Sequence, residues 1–274
     1  MENLKILYIS QEITPFLPES PISNKTRRLP QYMNEKGHEI RVFMPRFGVI
    51  NERRHQLHEV IRLSGMNLVI NDSDHPLIIK VASIPQVRMQ VYFIDNEEYF
   101  KRKAVFKDEE ENFFEDNDER SLFFCKGVLE TVKKLGWKPD IIHCHGWMSS
   151  MVPVLVKKMF NEDPHFENSR LIYSAYKSEV QDQFDNELIE KFEYDEIANE
   201  HVEVIRDASL INLHKLALQY ADALIIGESE LDDGLEEAIA ETDILKLEYK
   251  GEEGYEAEYE EFYKMVFEEV EALV

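Results

Sequence analysis

Cysteine is nearly missing from this chain: Cys125 and Cys144 are the two among 274 residues, too few for a disulfide framework. Both fall in stretches expected to be regular structure, which suits a reducing compartment and predicts buried thiols. Positive charge is scarce too, with 31 Lys and Arg against 55 Asp and Glu and a net charge of −24. A surface of that sign repels polyanions, so nucleic acid and anionic membrane are excluded as main partners. No run approaches the ~20 apolar residues needed to span a bilayer. The opening M-E-N-L-K-I-L-Y-I-S-Q-E has no basic region followed by a long apolar stretch, so a cytoplasmic location is expected. Internal repeats and low-complexity linkers are absent.

What is present is an ordinary globular composition, 43% hydrophobic and 11% aromatic, in a chain long enough to bury a sizeable core. The negative charge is unevenly spread. From residue 228 onward, 18 acidic residues face 3 lysines, which places 15 of the 24 excess charges in the last 47 positions. The expected organisation is therefore a main domain over 1–240 and an acidic extension over 241–274.

Short apolar β-rich runs at 5–10, 38–44, 140–144, 170–175 and 223–226 read as strands. Between them, 24–36, 119–135, 208–220 and 229–240 read as helices, with Asn24 as the first cap and Gly37 ending that helix. The proline-bearing stretch before Asn24 reads as a loop. Residues 56–94 alternate β-branched runs with polar turns and predict a hairpin or meander. Residues 96–106 suggest a short helix, 107–118 an acidic loop, and 177–206 surface helices or a mobile insertion. Strands alternating with helices predict an α/β fold: Rossmann-like, a mostly parallel sheet with helices on both faces.

A last helix over 255–273 carries Tyr255, Tyr259, Phe262, Val266, Val270 and Leu273 at spacings of 4, 3, 4, 4 and 3. Such a stripe must dock on something. Two readings stand: packing on its own domain, or a homo-oligomer or protein partner.

The stretch K-P-D-I-I-H-C-H-G-W-M-S-S, residues 138–150, carries the densest chemistry. It reads as a buried strand, a sharp turn at His145-Gly146-Trp147, and a helix from about Ser149. Loops leaving the carboxyl ends of strands hold ligands in open α/β sheets. His143 and His145 share a strand face and can converge, but no third ligand follows at zinc spacing, so no metal and no cofactor is expected. Cys144 in an apolar strand is expected to be inert.

Several blocks resemble the glycogen and starch synthase family. I-L-Y-I-S-Q-E-I-T-P-F looks like its first strand and loop, and L-P-Q-Y-M-N-E-K-G-H-E-I-R-V-F-M-P-R-F-G its helix and second strand. V-Y-F-I-D-N-E-E-Y-F-K-R with D-N-D-E-R, P-D-I-I-H-C-H-G-W, and I-N-L-H-K-L-A-L-Q-Y-A-D are similar to three further blocks. The likeness covers roughly residues 4–230. It implies the amino-terminal half of a GT-B glycosyltransferase, a hexosyltransferase moving glucose from ADP-glucose to an α-1,4-glucan, with a sugar nucleotide or α-glucan as ligand.

The same likeness assigns a substrate pocket to Pro18, Glu19, Ser20, Asp116, Asn117, Arg120, His143, His145, Gly146, Trp147, Met148 and Tyr176. Asp116, Asn117 and Arg120 keep the family pattern and are readable equally as a helix cap with an ion pair. Elsewhere the chemistry departs. The family's Lys-x-Gly-Gly-Leu aligns with Pro18-Glu19-Ser20-Pro21-Ile22, which loses the lysine, loses an N–H donor at Pro21 and adds a carboxylate. Its His-x-His-Asp-Trp-His aligns with residues 143–148, so Gly146 and Met148 replace an acid and a histidine. Its Thr-x-His-Asn aligns with Ser174 to Lys177, putting Tyr176 in place of the histidine. A diphosphate leaving group also needs cationic stabilisation from a second domain, for which 48 residues beyond Ile226 are too few. The expected role is a binding or scaffold protein without stand-alone catalysis. The alternative is an active transferase that takes its nucleotide-binding domain from a second chain.

Overall fold

The computed structural model describes residues 3–85, 87, 89–178 and 183–271, the side chains of 269–271 excepted. Strand β1 (Lys5–Ser10), helix α1 (Pro21–Glu35) and β2 (Glu39–Pro45) form the first βαβ unit. Helix α2 (Glu52–His55), β3 (His58–Glu59), β4 (Met66–Ile70), β5 (Ser73–Ile84) and β6 (Met89–Asp95) form the meander. Helices α3 (Glu97–Phe100) and α4 (Asn117–Leu135) lead into β7 (Ile141–His145), α5 (Val152–Lys158) and β8 (Arg170–Ala175). Then come α6 (Leu188–Lys191), α7 (Leu210–Tyr220), β9 (Ala223–Ile226), α8 (Asp233–Ala240), β10 (Leu245–Leu247) and α9 (Glu256–Glu271).

The strands make one mixed sheet in the order β10-β9-β8-β7-β1-β2-β6-β5-β3, with β4 paired to β5 off that path. Pairing is parallel from β10 to β6 and antiparallel where β5 meets β3, β4 and β6. All five residues of β7 are buried, as expected for a strand covered by helices on both faces. From β1 the chain leaves toward β2 on one side and later returns as β7 on the other. That reversal of strand order opens a crevice beyond the carboxyl ends of β1 and β7.

Several boundaries differ from the sequence reading. Helix α1 begins at Pro21, not Asn24, because Ser20 Oγ accepts the Ser23 N–H while Ser23 Oγ accepts the Ser20 N–H, a reciprocal cap. Proline at the first helical position has no intrahelical N–H to lose, so it starts a helix rather than preventing one. Strand β7 extends to His145, and the turn after it is a 3₁₀ segment, Trp147–Ser149, before α5 starts at Val152. Between 183 and 206 the chain forms short helical turns that bury Leu188, Phe192, Val202 and Ile205. Residues 179–182 of that stretch lie outside the described residues.

The acidic end is built into the body of the domain. Strand β10 pairs with β9, and α9 lies against α1 with Tyr255, Tyr259, Phe262, Tyr263 and Val266 buried. Tyr263 Oη hydrogen-bonds His143 Nδ1 at 2.6 Å, which ties the helix to the middle of β7. Lys25 on α1 lies 4.6 Å from the Tyr255 ring centre and donates to the Gly251 carbonyl at 3.3 Å. The described part of the terminal stripe is thus consumed within the chain; Val270 and Leu273 fall outside the described side chains. Among the described residues no helix is long and apolar enough to cross a membrane.

Candidate functional site

The crevice contains a cavity of about 220 Å³. Parallel pairing puts Ser10, His145 and Ser174 level across β1, β7 and β8, so the residues just beyond them meet. Gln11 and Glu12 follow β1, Gly146 and Trp147 follow β7, Tyr176 to Ser178 follow β8, and Glu228 follows β9. The first turn of α1, Phe106 and His214 complete the lining.

Gln11 links two of these loops. Its Oε1 accepts the Met148 N–H at 3.2 Å and its Nε2 donates to Glu12 Oε1 at 3.1 Å. Gly146 has φ 80 and ψ 166, a conformation open in practice only to glycine. A Cβ there would sit 2.5 Å from Gln11 Oε1. Any larger residue would strain this backbone and displace the Gln11 side chain. Glu12 Oε2 accepts from Ser20 Oγ at 2.6 Å, joining the first loop to the cap of α1.

Trp147 is 4% exposed and forms an aromatic wall with Phe106 and Phe184, ring centres 4.9 and 5.4 Å away. Tyr176 Oη hydrogen-bonds His145 Nδ1 at 2.8 Å. Gly227 leaves room for the Tyr176 ring, since a Cβ there would lie 2.5 Å from Tyr176 Cε1. Glu228 accepts the Lys177 N–H at 3.1 Å, and Asp232 accepts the Ser178 N–H at 2.8 Å.

Four residues expected in the pocket do line it: Ser20, Gly146, Trp147 and Tyr176. Pro18 and Glu19 are not among its lining; the Pro18 carbonyl accepts from Ser23 Oγ instead. Asp116, Asn117 and Arg120 lie outside it. Arg120 is fully buried, donating to the carbonyls of Tyr99 and Val105 at 2.8 Å each, while Asp116 pairs with Arg102. Asn117 Nδ2 donates to the Phe106 carbonyl at 2.8 Å, so it positions one wall of the cavity from behind.

His143 and His145 converge, with ring centres 3.8 Å apart, but sit beneath the cavity. His143 is held between Tyr263 and Ser174 Oγ, each at 2.6 Å. Burial drives the pKa of His143 well below the usual range and that of His145 to about 3, so both rings are neutral. Among the described residues no group of three or more His, Cys, Asp or Glu could hold a metal ion. Met148 is buried and takes part through its backbone: its carbonyl accepts from Ser121 Oγ at 2.9 Å. Both cysteines are buried and outside any disulfide, with thiol pKa values raised by desolvation.

Sequence reasoning missed Gln11, Glu12, Phe106, Lys177, Ser178, His214 and Glu228. For most of these a signal existed, since they directly follow strands. His214 had a subtler one, a polar side chain on the face of α7 that also presents Leu210, Leu213 and Ala217 to the core.

Comparison with known proteins follows the same outline. A family model described as starch synthase catalytic domain matches residues 5–230. Glycogen synthase of Chlorobium luteolum is 35% identical over 223 residues, covering 81% of this chain and 45% of the relative. Glycogen synthase of Chlorobium phaeovibrioides is 34% identical over 250 residues, covering 87% of this chain and 50% of the relative. The chain thus spans about half the length of the curated relatives it matches. Among solved structures, the catalytic domain of starch synthase IV from Arabidopsis thaliana, bound to ADP and acarbose, superposes with a TM-score of 0.68 at 16% identity. That match covers 82% of this chain and 45% of the other.

Proposed function

The chain belongs to the starch synthase catalytic domain family, and from that premise we propose that its crevice binds a neutral saccharide and does not by itself transfer glucose from a sugar nucleotide. One observation carries the reading: the carboxylates of Glu12 and Glu228 line the cavity. A diphosphate bound there needs cations or clustered N–H donors, and carboxylates repel it. Among the described lining residues Lys177 is the single cation, and its Nζ lies 3.6 Å from Glu230. Pro18 and Pro21 supply no N–H where the family loop has a lysine and a glycine. Carboxylates beside aromatic rings suit an uncharged sugar, whose hydroxyls donate to the oxygens while its C–H face packs on an apolar wall.

Calorimetric titration with maltotriose, ADP and ADP-glucose, alongside incorporation of labelled glucose into glycogen, tests this. Heat of binding from maltotriose and no incorporation are expected. Incorporation by this chain alone, or ADP-glucose binding more tightly than maltotriose, overturns the proposal.

A second reading has one observation in its favour, the match to about half of each relative. In that case the domain contributes to a transferase completed by further polypeptide. Glucose incorporation would then appear only when cell fractions are mixed with this chain, and its absence from every fraction would count against that reading.

A further inference from the structure

Two residues that line the cavity each carry a buried polar atom without a hydrogen-bond partner: His214 Nε2 and Ser178 Oγ. His214 is 2% exposed, and its ring is held from the far side by Tyr173, whose Oη lies 2.7 Å from Nδ1. A phenol is the better donor of the two and imidazole nitrogen the better acceptor, so Tyr173 donates to Nδ1. That fixes the tautomer with the proton on Nε2, the nitrogen with no partner. Burial lowers the pKa of His214 to about 4, against the opposing charge of Asp232, so the ring is neutral and Nε2–H is a single, fixed donor. Ser178 is fixed through its backbone, whose N–H goes to Asp232, leaving Oγ able to donate or accept.

An unmade hydrogen bond at a buried donor costs free energy that a ligand recovers on binding. We propose that His214 and Ser178 are a hydroxyl-reading pair in the crevice, and that they set its preference for an uncharged polyhydroxylated ring. This rests on the saccharide reading above. A sugar hydroxyl both accepts and donates, so one that accepts from Nε2–H can donate its own hydrogen bond to a lining carboxylate, Glu12 or Glu228. An ionised phosphate oxygen accepts from His214 but has no O–H to donate to those carboxylates and is repelled by them. An apolar ligand satisfies neither side. The pair thus selects for hydroxyls in a way that residues 143–148 alone do not.

The test is maltotriose titration of the full chain and of His214→Leu and Ser178→Ala, with unfolding midpoints measured in parallel. Side-chain nitrogen NMR of His214 in the unmutated protein accompanies it. A single lost neutral hydrogen bond predicts roughly 5- to 10-fold weaker binding for His214→Leu and about 3-fold for Ser178→Ala. Ser178→Ala should keep its unfolding midpoint, and the Nε2–H resonance should shift as maltotriose is added. If the unmutated protein binds maltotriose while both variants bind equally well and the resonance stays still, the pair is overturned and the saccharide reading stands. If the unmutated protein binds no maltotriose, both fall. Should His214→Leu fail to fold, Ser178→Ala and the resonance decide.

Discussion

Two buried polar clusters meet at Phe106, and they are satisfied in opposite ways. On one side Arg120 reaches the carbonyls of Tyr99 and Val105 and the side chain of Asn117. Its remaining nitrogen, Nη2, lacks a hydrogen bond but is enclosed by Phe47, Phe100 and Phe114, whose ring centres lie 5.3 to 5.6 Å from the guanidinium carbon. Burial pulls its pKa down to about 9, still high enough to keep the charge at neutral pH. On the other side stand His143, His145, His214, Tyr176 and Ser178, where His145 Nε2, His214 Nε2 and Ser178 Oγ have no partner. In the first cluster Arg120 Nε and Nη1 go to backbone carbonyls and to Asn117, a scaffolding arrangement. In the second, two of the unpartnered atoms, His214 Nε2 and Ser178 Oγ, belong to residues that line the cavity. Sequence motifs marked Arg120, His143, His145 and Tyr176 alike and passed over His214 and Ser178; what separates the clusters is which of them lines the cavity.

Acid should separate the clusters most. His143, His145 and His214 have folded pKa values depressed by burial, to about 3 for His145 and about 4 for His214. Below about 6.5 the unfolded chain takes up protons that the folded chain refuses, so stability falls as pH falls. Each ring contributes a loss of about 1.4 kcal/mol per pH unit, or up to roughly 4 kcal/mol per unit for three. Asp118 and Asp195, raised by burial, act in the opposite direction within the carboxylate range, so the slope is cleanest between pH 6.5 and 5. Urea unfolding at pH 7, 6 and 5 measures it; a flat profile would mean the rings are not neutral when folded.

Next in size, Arg120→Met should cost about 2–4 kcal/mol, because it strands the carbonyls of Tyr99 and Val105 in an apolar setting. The folded fraction should bind maltotriose as before, and the acid slope should be unchanged. A loss below about 1 kcal/mol would remove the scaffolding role. Gly146→Ala should cost about 1–3 kcal/mol through its backbone conformation and the contact with Gln11, and should weaken saccharide binding as well. Binding that survives at full strength would show that the loop is free to adopt another shape. Smallest, Tyr263→Phe removes one partner of His143 and should cost about 1 kcal/mol. Faster proteolysis within α9, with maltotriose affinity intact, would fit a helix that supports the site without touching ligand.

Much of the fold was legible because its signals are local. Continuous apolar runs marked β1, β8 and β9 with the bounds the structure has, and the amphipathic period marked α4 within two residues. The start of α1 was misplaced because a proline-rich stretch reads as loop unless the Ser20–Ser23 reciprocity is noticed. The site was harder. Among the residues that line the cavity, Trp147, Tyr176, Gly146 and Ser20 were named from sequence, while His214, Ser178, Glu12 and Glu228 were not.

By itself the sequence determined the alternation of strands and helices and the family. Each of these is written in contiguous residues or in a short period. Tertiary structure alone settled which polar groups share a cavity and which of them remain unpartnered. Glu12, Trp147, Ser178 and Glu228 are far apart in the chain, and they meet because four parallel strands end at one edge, where α7 brings His214. Close in sequence and matching a motif, Asn117 and Arg120 turn instead toward backbone carbonyls and Asp116 toward Arg102. The reason is that a side chain's direction and its count of partners depend on what packs against it from elsewhere in the chain.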